Sequence, residues 1–282
     1  MSLELEKFLN TAIEAAKEAG KIQKERFGDV FAVEHKGEIN LVTEVDYQCE
    51  NIIVDIIKRD YPVHEILTEE SGSIQKPSPL EGEGRGEGKY KWIIDPLDGT
   101  TNYAHSYPCF CASVGLEING EIAAGVVYNP MLEELFTSIK GNGAYLNGKR
   151  LKVSAIGVIG KSLLATGFPY DIKYSKENNL ENFCNFAVRA QAIRRPGAAA
   201  LDLCYLSAGR FDGFWELKLN PWDTAAASLM VKEAGGVITD FSGGEFSIYK
   251  EEMLASNGLI HEEMIEILNL AISHQLSANP DC

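Results

Sequence analysis

Over residues 3–27 apolar side chains return every three or four positions, at Leu5, Phe8, Leu9, Ala12, Ile13, Ala16, Ala19 and Ile22, with Glu and Lys between them. That period predicts an amphipathic helix with one buried stripe. A second helix is predicted at about 45–60, where Val45, Cys49, Ile52, Ile53, Ile56 and Ile57 share a stripe and Asp46 stands at the start. Val63–Leu67 is a short strand candidate, left by Thr68-Glu69-Glu70-Ser71. From Phe110 onward the runs shorten to Phe110–Glu117, Glu121–Tyr128 and Glu134–Ile139, joined by Asn119-Gly120 and a turn at Pro130. Asn147-Gly148 marks a further hairpin into Arg150–Ser154, so an antiparallel meander is expected. After Ser162 the elements alternate. Strands are expected up to Ala165, at 191–194, at Phe211–Glu216 and near 237–240 and 252–256, with helices near 176–190, 197–208 and 223–234 and from 260.

This pattern predicts an α/β protein with an α+β portion over residues 1–155 and an alternating α/β portion over 156–282, packed as one compact unit. No internal repeat is visible. The segment between Gly72 and Lys89 carries alternating Gly with Glu or Arg and offers no apolar face, so it is expected to be mobile. Its glycine spacing fits neither phosphate-loop pattern.

One stretch interrupts the apolar patterning with chemistry. Trp92-Ile93-Ile94 runs into Asp95-Pro96-Leu97-Asp98-Gly99-Thr100-Thr101-Asn102-Tyr103. Proline fixes φ and removes a donor, so a sharp bend is expected where Asp95 leaves its strand. Gly99 permits a tight backbone, and Thr100 and Thr101 offer hydroxyls and N–H groups for a phosphate oxygen. Phosphatases that form an aspartyl-phosphate space their acids as Asp-x-Asp, whereas Pro96 and Leu97 here put two residues between the carboxylates. That spacing turns the second side chain and favours coordination over nucleophilic attack. Hard oxygen ligands favour Mg²⁺, with Mn²⁺ as a substitute. The chemistry implied is metal-assisted phosphoryl hydrolysis.

Asp223 opens an Ala-rich helix after Asn220-Pro221-Trp222, which by itself reads as an N-cap. Asp46, Glu69, Asp95, Asp98 and Asp223 nevertheless all lie at the ends of predicted elements, where a scaffold presents site residues. Five converging anions would need cations and would show raised carboxylate pKa values without them.

Composition narrows the classes further. The 282 residues are 45% hydrophobic and 24% charged, as in ordinary globular proteins, and no apolar run is long enough to span a bilayer. The start of the chain does not resemble a signal peptide, so a cytoplasmic location is expected. A net charge of −15 disfavours nucleic acid and anionic membranes as partners. The six cysteines are scattered and read as reduced thiols, and Cys109-Phe110-Cys111 lacks the second pair that a zinc site needs.

Three motifs in order, Thr68-Glu69-Glu70-Ser71, Trp92 through Asn102, and Pro221-Trp222-Asp223 with Glu233-Ala234-Gly235-Gly236, resemble the inositol monophosphatase family of lithium-sensitive, Mg²⁺-dependent sugar phosphatases. The resemblance covers nearly the whole chain and implies a layered αβαβα sandwich. It implies a first cation on Glu69, Asp95 and the Leu97 carbonyl, a second on Asp95, Asp98 and Asp223, and a third, weaker one near Glu69. Thr100, bonded to Asp46, would activate a water for in-line attack on phosphorus, with Glu69 contacting that water. Gly99 and Thr100 N–H groups would carry phosphate oxygens, with Asp98 and Asp223 also facing the substrate. The substrate-side loop would be Arg194-Arg195-Pro196-Gly197-Ala198-Ala199-Ala200, and Glu216 would contact sugar hydroxyls. Ala198 departs from relatives that carry Ser or Thr there, which removes one hydrogen bond and leaves the polyol open. The resemblance implies an inositol 1-phosphate phosphatase, commonly a homodimer, that acts on small phosphate esters. Fructose-1,6-bisphosphatase, histidinol-phosphatase and nucleotide 3′-phosphatase activities remain alternatives on the same fold, as does a regulatory protein that contacts RNA polymerase.

Overall fold

Two amphipathic helices open the chain, α1 (Ser2–Arg26) and α2 (Glu44–Asp60), in a computed structural model that describes residues 2–29, 33–35, 41–75 and 89–270. The buried face of α1 includes Phe8, Thr11, Ala12, Ala15, Ala16, Ala19, Gly20 and Gln23, so it is rotated from the predicted stripe; Leu5, Leu9, Ile13 and Ile22 lie at its margins. A two-stranded hairpin missing from the sequence expectation, β1 (Val33–His35) with β2 (Leu41–Thr43), leads into α2. Thr43 caps that helix: its Oγ1 accepts from Val45 N at 3.2 Å, and the Asp46 carboxylate accepts from Thr43 N at 2.8 Å. This reciprocal box satisfies two end donors and fixes Asp46 at the mouth of the helix.

Both helices cover one face of a sheet built from β3 (Glu65–Thr68), β4 (Gly72–Gln75), β5 (Tyr90–Asp98), β6 (Cys111–Ile118), β7 (Glu121–Asn129), β8 (Glu134–Ile139), β9 (Gly143–Leu146) and β10 (Lys149–Arg150). The spatial order is β10-β9-β8-β7-β6-β5-β3-β4, antiparallel except where β3 runs parallel to β5. The short helix α3 (Thr100–Ala104) lies between β5 and β6. Two expectations change here. Residues 72–75, the start of the Gly/Glu-rich segment, form edge strand β4 on β3, because an edge strand draws on backbone bonds rather than an apolar face; residues 76–88 lie outside the described residues. The strand expected at Arg150–Ser154 contributes only Lys149 and Arg150 to the sheet, since Val153 N turns away to Ala234 O at 3.1 Å.

The second sheet contains β11 (Leu163–Thr166), β12 (Ala192–Arg194), β13 (Gly213–Leu217), β14 (Val237–Thr239) and β15 (Glu252–Ser256), in the order β12-β11-β13-β15-β14. Its helices are α4 (Leu180–Ala187), α5 (Ala199–Ser207), α6 (Pro221–Glu233) and α7 (His261–Leu268). Helices α5 and α6 fill the space between the sheets, while α4 and α7 cover the far face. The layering is therefore α, β, α, β, α, as the resemblance implied. Helix α4 is shorter than the 176–190 expected because Asn179 is held elsewhere: its Nδ2 donates to Gly167 O at 2.7 Å and its Oδ1 accepts from Trp215 Nε1 at 2.8 Å.

Absent side chains set how closely the central layer sits. Gly115 and Gly125 are cross-strand partners directly beneath Ala225 and Ala226 of α6. A Cβ on Gly125 would stand 2.5 Å from Ala226 O, and one on Gly115 would stand 3.0 Å from Ala225 Cβ. Only glycine allows this approach.

Candidate active site

The acid-bearing turn is a β-bulge and not a strand end. Asp95 pairs with Ser113 and Asp98 with Cys111, so Pro96 and Leu97 together face the single residue Ala112. Strand β5 thus continues to Asp98, which corrects the expectation that it stops at Asp95. Proline fits because a bulge leaves its position without a ladder bond to donate. Ile93 packs with Ala225 of α6, and the alternation of a strand puts Asp95 on that same face.

Hydrogen bonds hold each carboxylate. Asp95 Oδ1 accepts from Leu97 N at 3.0 Å, across the bulge. Asp98 Oδ2 accepts from Ala200 N at 2.8 Å, at the start of α5, and from Cys111 Sγ at 3.6 Å. Gly99 follows with φ +96, and a Cβ there would meet Cys109 O at 2.8 Å, so the turn admits only glycine. Thr100 Oγ1 lies 2.9 Å from Asp46 Oδ1 and 3.0 Å from the Leu97 carbonyl. Its one proton serves one acceptor at a time.

Glu69 arrives through strand pairing. Because β3 parallels β5 with Thr68 opposite Ile94, Glu69 follows the end of β3 beside Asp95 of β5, and Glu69 N donates to Ile94 O at 3.3 Å. Glu50, one turn beyond Asp46 on α2, holds this loop. Its Oε2 accepts from Glu70 N at 3.1 Å and Ser71 N at 3.3 Å, and its Oε1 accepts from the Ser71 hydroxyl. Asp223 lies in the first turn of α6, after Pro221 at the first position, and accepts from Asn220 N at 2.6 Å. Asn220 therefore occupies the cap position that the sequence suggested for Asp223.

Electrostatics show that these acids share one region. Burial pushes Asp95 well above the usual carboxylate range, and the charges of Glu69, Asp98 and Asp223 push it further. Asp98 rises to about 7, mainly through burial, against the opposing bonds from Ala200 N and Cys111. Burial and Asp98 raise Asp223 well above its ordinary value. Asp46 rises to about 6 through burial, partly offset by its bonds from Thr43 and Thr100. Among the described residues, no Lys or Arg is ion-paired with Asp46, Asp95, Asp98 or Asp223. Also among those residues, no three acidic, Cys or His side chains close on one point as a finished metal cage. Buried anions with hard oxygen donors and no cationic partner nevertheless fit divalent cations.

The substrate-side residues line the neighbouring wall. Ala198, fully buried, caps α5, and Ala199 and Ala200 begin it. Gly197 takes φ +85 against Asn102, whose Nδ2 donates to Cys109 O at 2.7 Å and Pro196 O at 2.8 Å and so ties this loop to α3. Glu216 rises to about 8 through burial and the charges of Asp223 and Asp98, with Arg195 opposing. A Cβ on Gly167 would overlap its carboxylate. Both arginines are exposed: Arg195 stands 5.2 Å from the Phe168 ring and its charge acts on Glu216, while the Arg194 guanidinium donates to the neighbouring Ile193 carbonyl. A separate cleft of about 500 Å³, between the β6–β7 turn, α6 and residues 245–250, contains none of these groups.

Sequence reasoning missed Gln23, Glu50 and the Ala200 N–H. Glu50 and Gln23 carried a signal, since each places a polar side chain within an apolar helical stripe. The Ala200 N–H carried none.

Similarity to known proteins of this layered fold makes the chain a member of a phosphatase class. The chain belongs to the inositol monophosphatase family, whose profile matches residues 4–273. It is 43% identical over 266 residues to the inositol-1-monophosphatase of a Synechocystis strain, covering 94% of this chain and 90% of that protein. It is 40% identical over 270 residues to the Nus factor SuhB of Escherichia coli, covering 95% of this chain and 98% of that protein. The solved inositol monophosphatase of an Anabaena (Nostoc) strain superposes with a TM-score of 0.82 at 41% identity, covering 94% of this chain and 96% of that one.

Proposed function

We propose that this protein is a Mg²⁺-dependent phosphomonoesterase acting on inositol 1-phosphate and related small polyol and sugar phosphates. The observation that supports the reading is the gathering of Glu69, Asp98 and Asp223 around Asp95, whose titration each of the three raises, beside the Asp46–Thr100 pair. Glu69, Asp95, Asp98, Asp223 and the Leu97 carbonyl are the residues that would hold two or three cations. When bound, such cations acidify water and neutralise phosphate and leaving-group charge.

The chain's own groups have separate tasks. Thr100 Oγ1 orients the attacking water and passes its proton toward Asp46, a buried carboxylate poised at about 6 to receive one near neutrality. Gly99 N–H and Thr100 N–H are donors for the phosphate oxygens. Glu216 and Arg195, with the Gly197–Ala199 backbone, face the polyol, where the missing Ala198 hydroxyl leaves one substrate hydroxyl without a partner. Fructose-1,6-bisphosphate, histidinol phosphate and nucleotide 3′-phosphates remain competitors at this wall.

Phosphate release from a panel of these esters, with Mg²⁺, with Mn²⁺ and with chelator, tests the reading. We expect cation-dependent release with inositol 1-phosphate among the preferred esters. Absence of release from every ester in the presence of either cation overturns it and leaves a regulatory role, the reading favoured by likeness to the Nus factor relative.

A further inference from the structure

We propose that Gln23, on the first helix and outside every motif named above, is a positioning residue for the cation-binding bulge. The inference rests on the phosphatase reading of that bulge. Gln23 is fully buried in the stripe of α1 that otherwise holds Phe8, Ala12, Ala16 and Ala19. Its Nε2 donates to Pro96 O at 2.8 Å, across 73 residues of sequence. Tyr103, also fully buried, donates its hydroxyl to Gln23 O at 2.8 Å and so ties this turn of α1 to α3.

The bulge explains why that carbonyl needs a helix to satisfy it. Pro96 and Leu97 are the two residues set against Ala112, so the Pro96 carbonyl lies where ladder pairing is interrupted. A buried carbonyl without a donor is unfavourable, and Gln23 supplies one. The opposite end of the same peptide plane is also held, because Leu97 N donates to Asp95 Oδ1 at 3.0 Å. One peptide unit is thus fixed at its oxygen by α1 and at its nitrogen by Asp95. Peptide planarity then sets the direction in which the chain enters Leu97, whose own carbonyl is a proposed cation ligand and lies 3.0 Å from Thr100 Oγ1. Loss of the oxygen-side restraint leaves the plane free to turn, with Asp95 at one edge and the Leu97 carbonyl beyond the other.

The cost to the core supports a directed role. Gln23 Oε1 has no hydrogen-bond partner among the described residues, so the amide lies in this stripe with only half of it satisfied. The reversed amide would set Oε1 against Pro96 O, acceptor against acceptor, so Nε2 must be the atom that faces the bulge. An apolar side chain would fill this stripe without an orphaned oxygen, and it would leave the bulge carbonyl unrestrained.

The test uses the full chain and compares parent with Gln23→Met, which keeps length and loses the donor. Mg²⁺ affinity is read by calorimetry and by the Mg²⁺-induced rise in Tm, with kcat and KM measured at saturating Mg²⁺. We expect the Mg²⁺ Kd to rise about tenfold, as for loss of a group that orients a metal ligand, with KM changed by less than about twofold. A variant with lowered Tm but parental Mg²⁺ Kd and kcat overturns the proposal and makes Gln23 merely structural. If Gln23→Met does not fold, Gln23→Asn, whose amide is one methylene too short to reach Pro96 O, must show the same loss of Mg²⁺ affinity; parental affinity there also overturns it. Failure of the parent itself to bind Mg²⁺ removes the phosphatase reading, whereas equal binding by parent and variant removes this inference alone.

Discussion

The bulge after Ile94 and the first turn of α6 deliver acids to the same region by different physical means. Asp95 and Asp98 are held by donors, from Leu97 N and Ala200 N respectively, in a bulge whose Pro96 carbonyl is fixed by Gln23. Asp223 is bonded locally, to Asn220, and is brought close by the cross-strand pair Gly115 and Gly125, which lets the Ala225–Ala226 turn settle onto the sheet. One region is positioned by bonds made and the other by side chains withheld. The first should therefore tolerate loss of charge without loss of fold, whereas the second should respond to added volume.

The strongest test of that contrast is Asp95→Asn. It keeps the shape of the bulge and removes a buried anion, so phosphate release should fall about 10³-fold, in line with several kcal/mol of lost transition-state stabilisation. The cation-free Tm should hold or rise, because burial and three neighbouring acids already disfavour the Asp95 charge. A marked fall in Tm with activity retained contradicts the assignment.

Gly125→Val attacks the other device. Its first added carbon would stand 2.5 Å from Ala226 O and 2.9 Å from Ala226 Cα, both backbone atoms that cannot swing aside. We expect about 1–3 kcal/mol of destabilisation in chemical unfolding, with weakened Mg²⁺ binding as α6 and Asp223 are lifted from the sheet. Parental stability and Mg²⁺ affinity would show that helix-to-sheet distance does not set the cluster.

A further test is a pH dependence of the buried acids around both regions. Asp46, Asp98 and Glu216 have values raised to about 6, 7 and 8 from ordinary values of 3.8, 3.8 and 4.5. Between the ordinary and raised values the folded chain keeps protons that the unfolded chain has released. The stabilisation is therefore fully present below the ordinary value and is lost as pH rises through the raised one. In chelator, Tm should decline between about pH 5 and pH 8, and excess Mg²⁺ should flatten that decline by binding the ionised, folded cluster. A chelated Tm that rises with pH over this window contradicts the raised values.

Sequence alone made the candidate acids legible because each has a local context that simple rules can find: Asp46 before a helical stripe, Glu69 after a short strand, Asp95 and Asp98 around a proline, and Asp223 before an Ala-rich run. The meander strands at Glu121 and Glu134 and the final strand at 252–256 were likewise legible, because their apolar runs and turn residues are contiguous. Edge strand β4 and the β1–β2 hairpin were not, since short edge pairings draw on backbone bonds that leave no side-chain pattern.

Periodicity, turn chemistry and the order of acidic motifs are encoded along the chain; they determined the element types, the α/β class and which carboxylates to watch, and the family resemblance added the layered plan. Tertiary structure alone decided that β5 passes through a bulge instead of ending, that Ala200 N and Gln23 Nε2 hold it from two distant helices, and that Gly115 and Gly125 set the depth of α6. Each of these rests on a backbone atom or a missing side chain meeting a partner tens of residues away. Such contacts exist only once the layers have closed, and no periodic signal along the chain announces them.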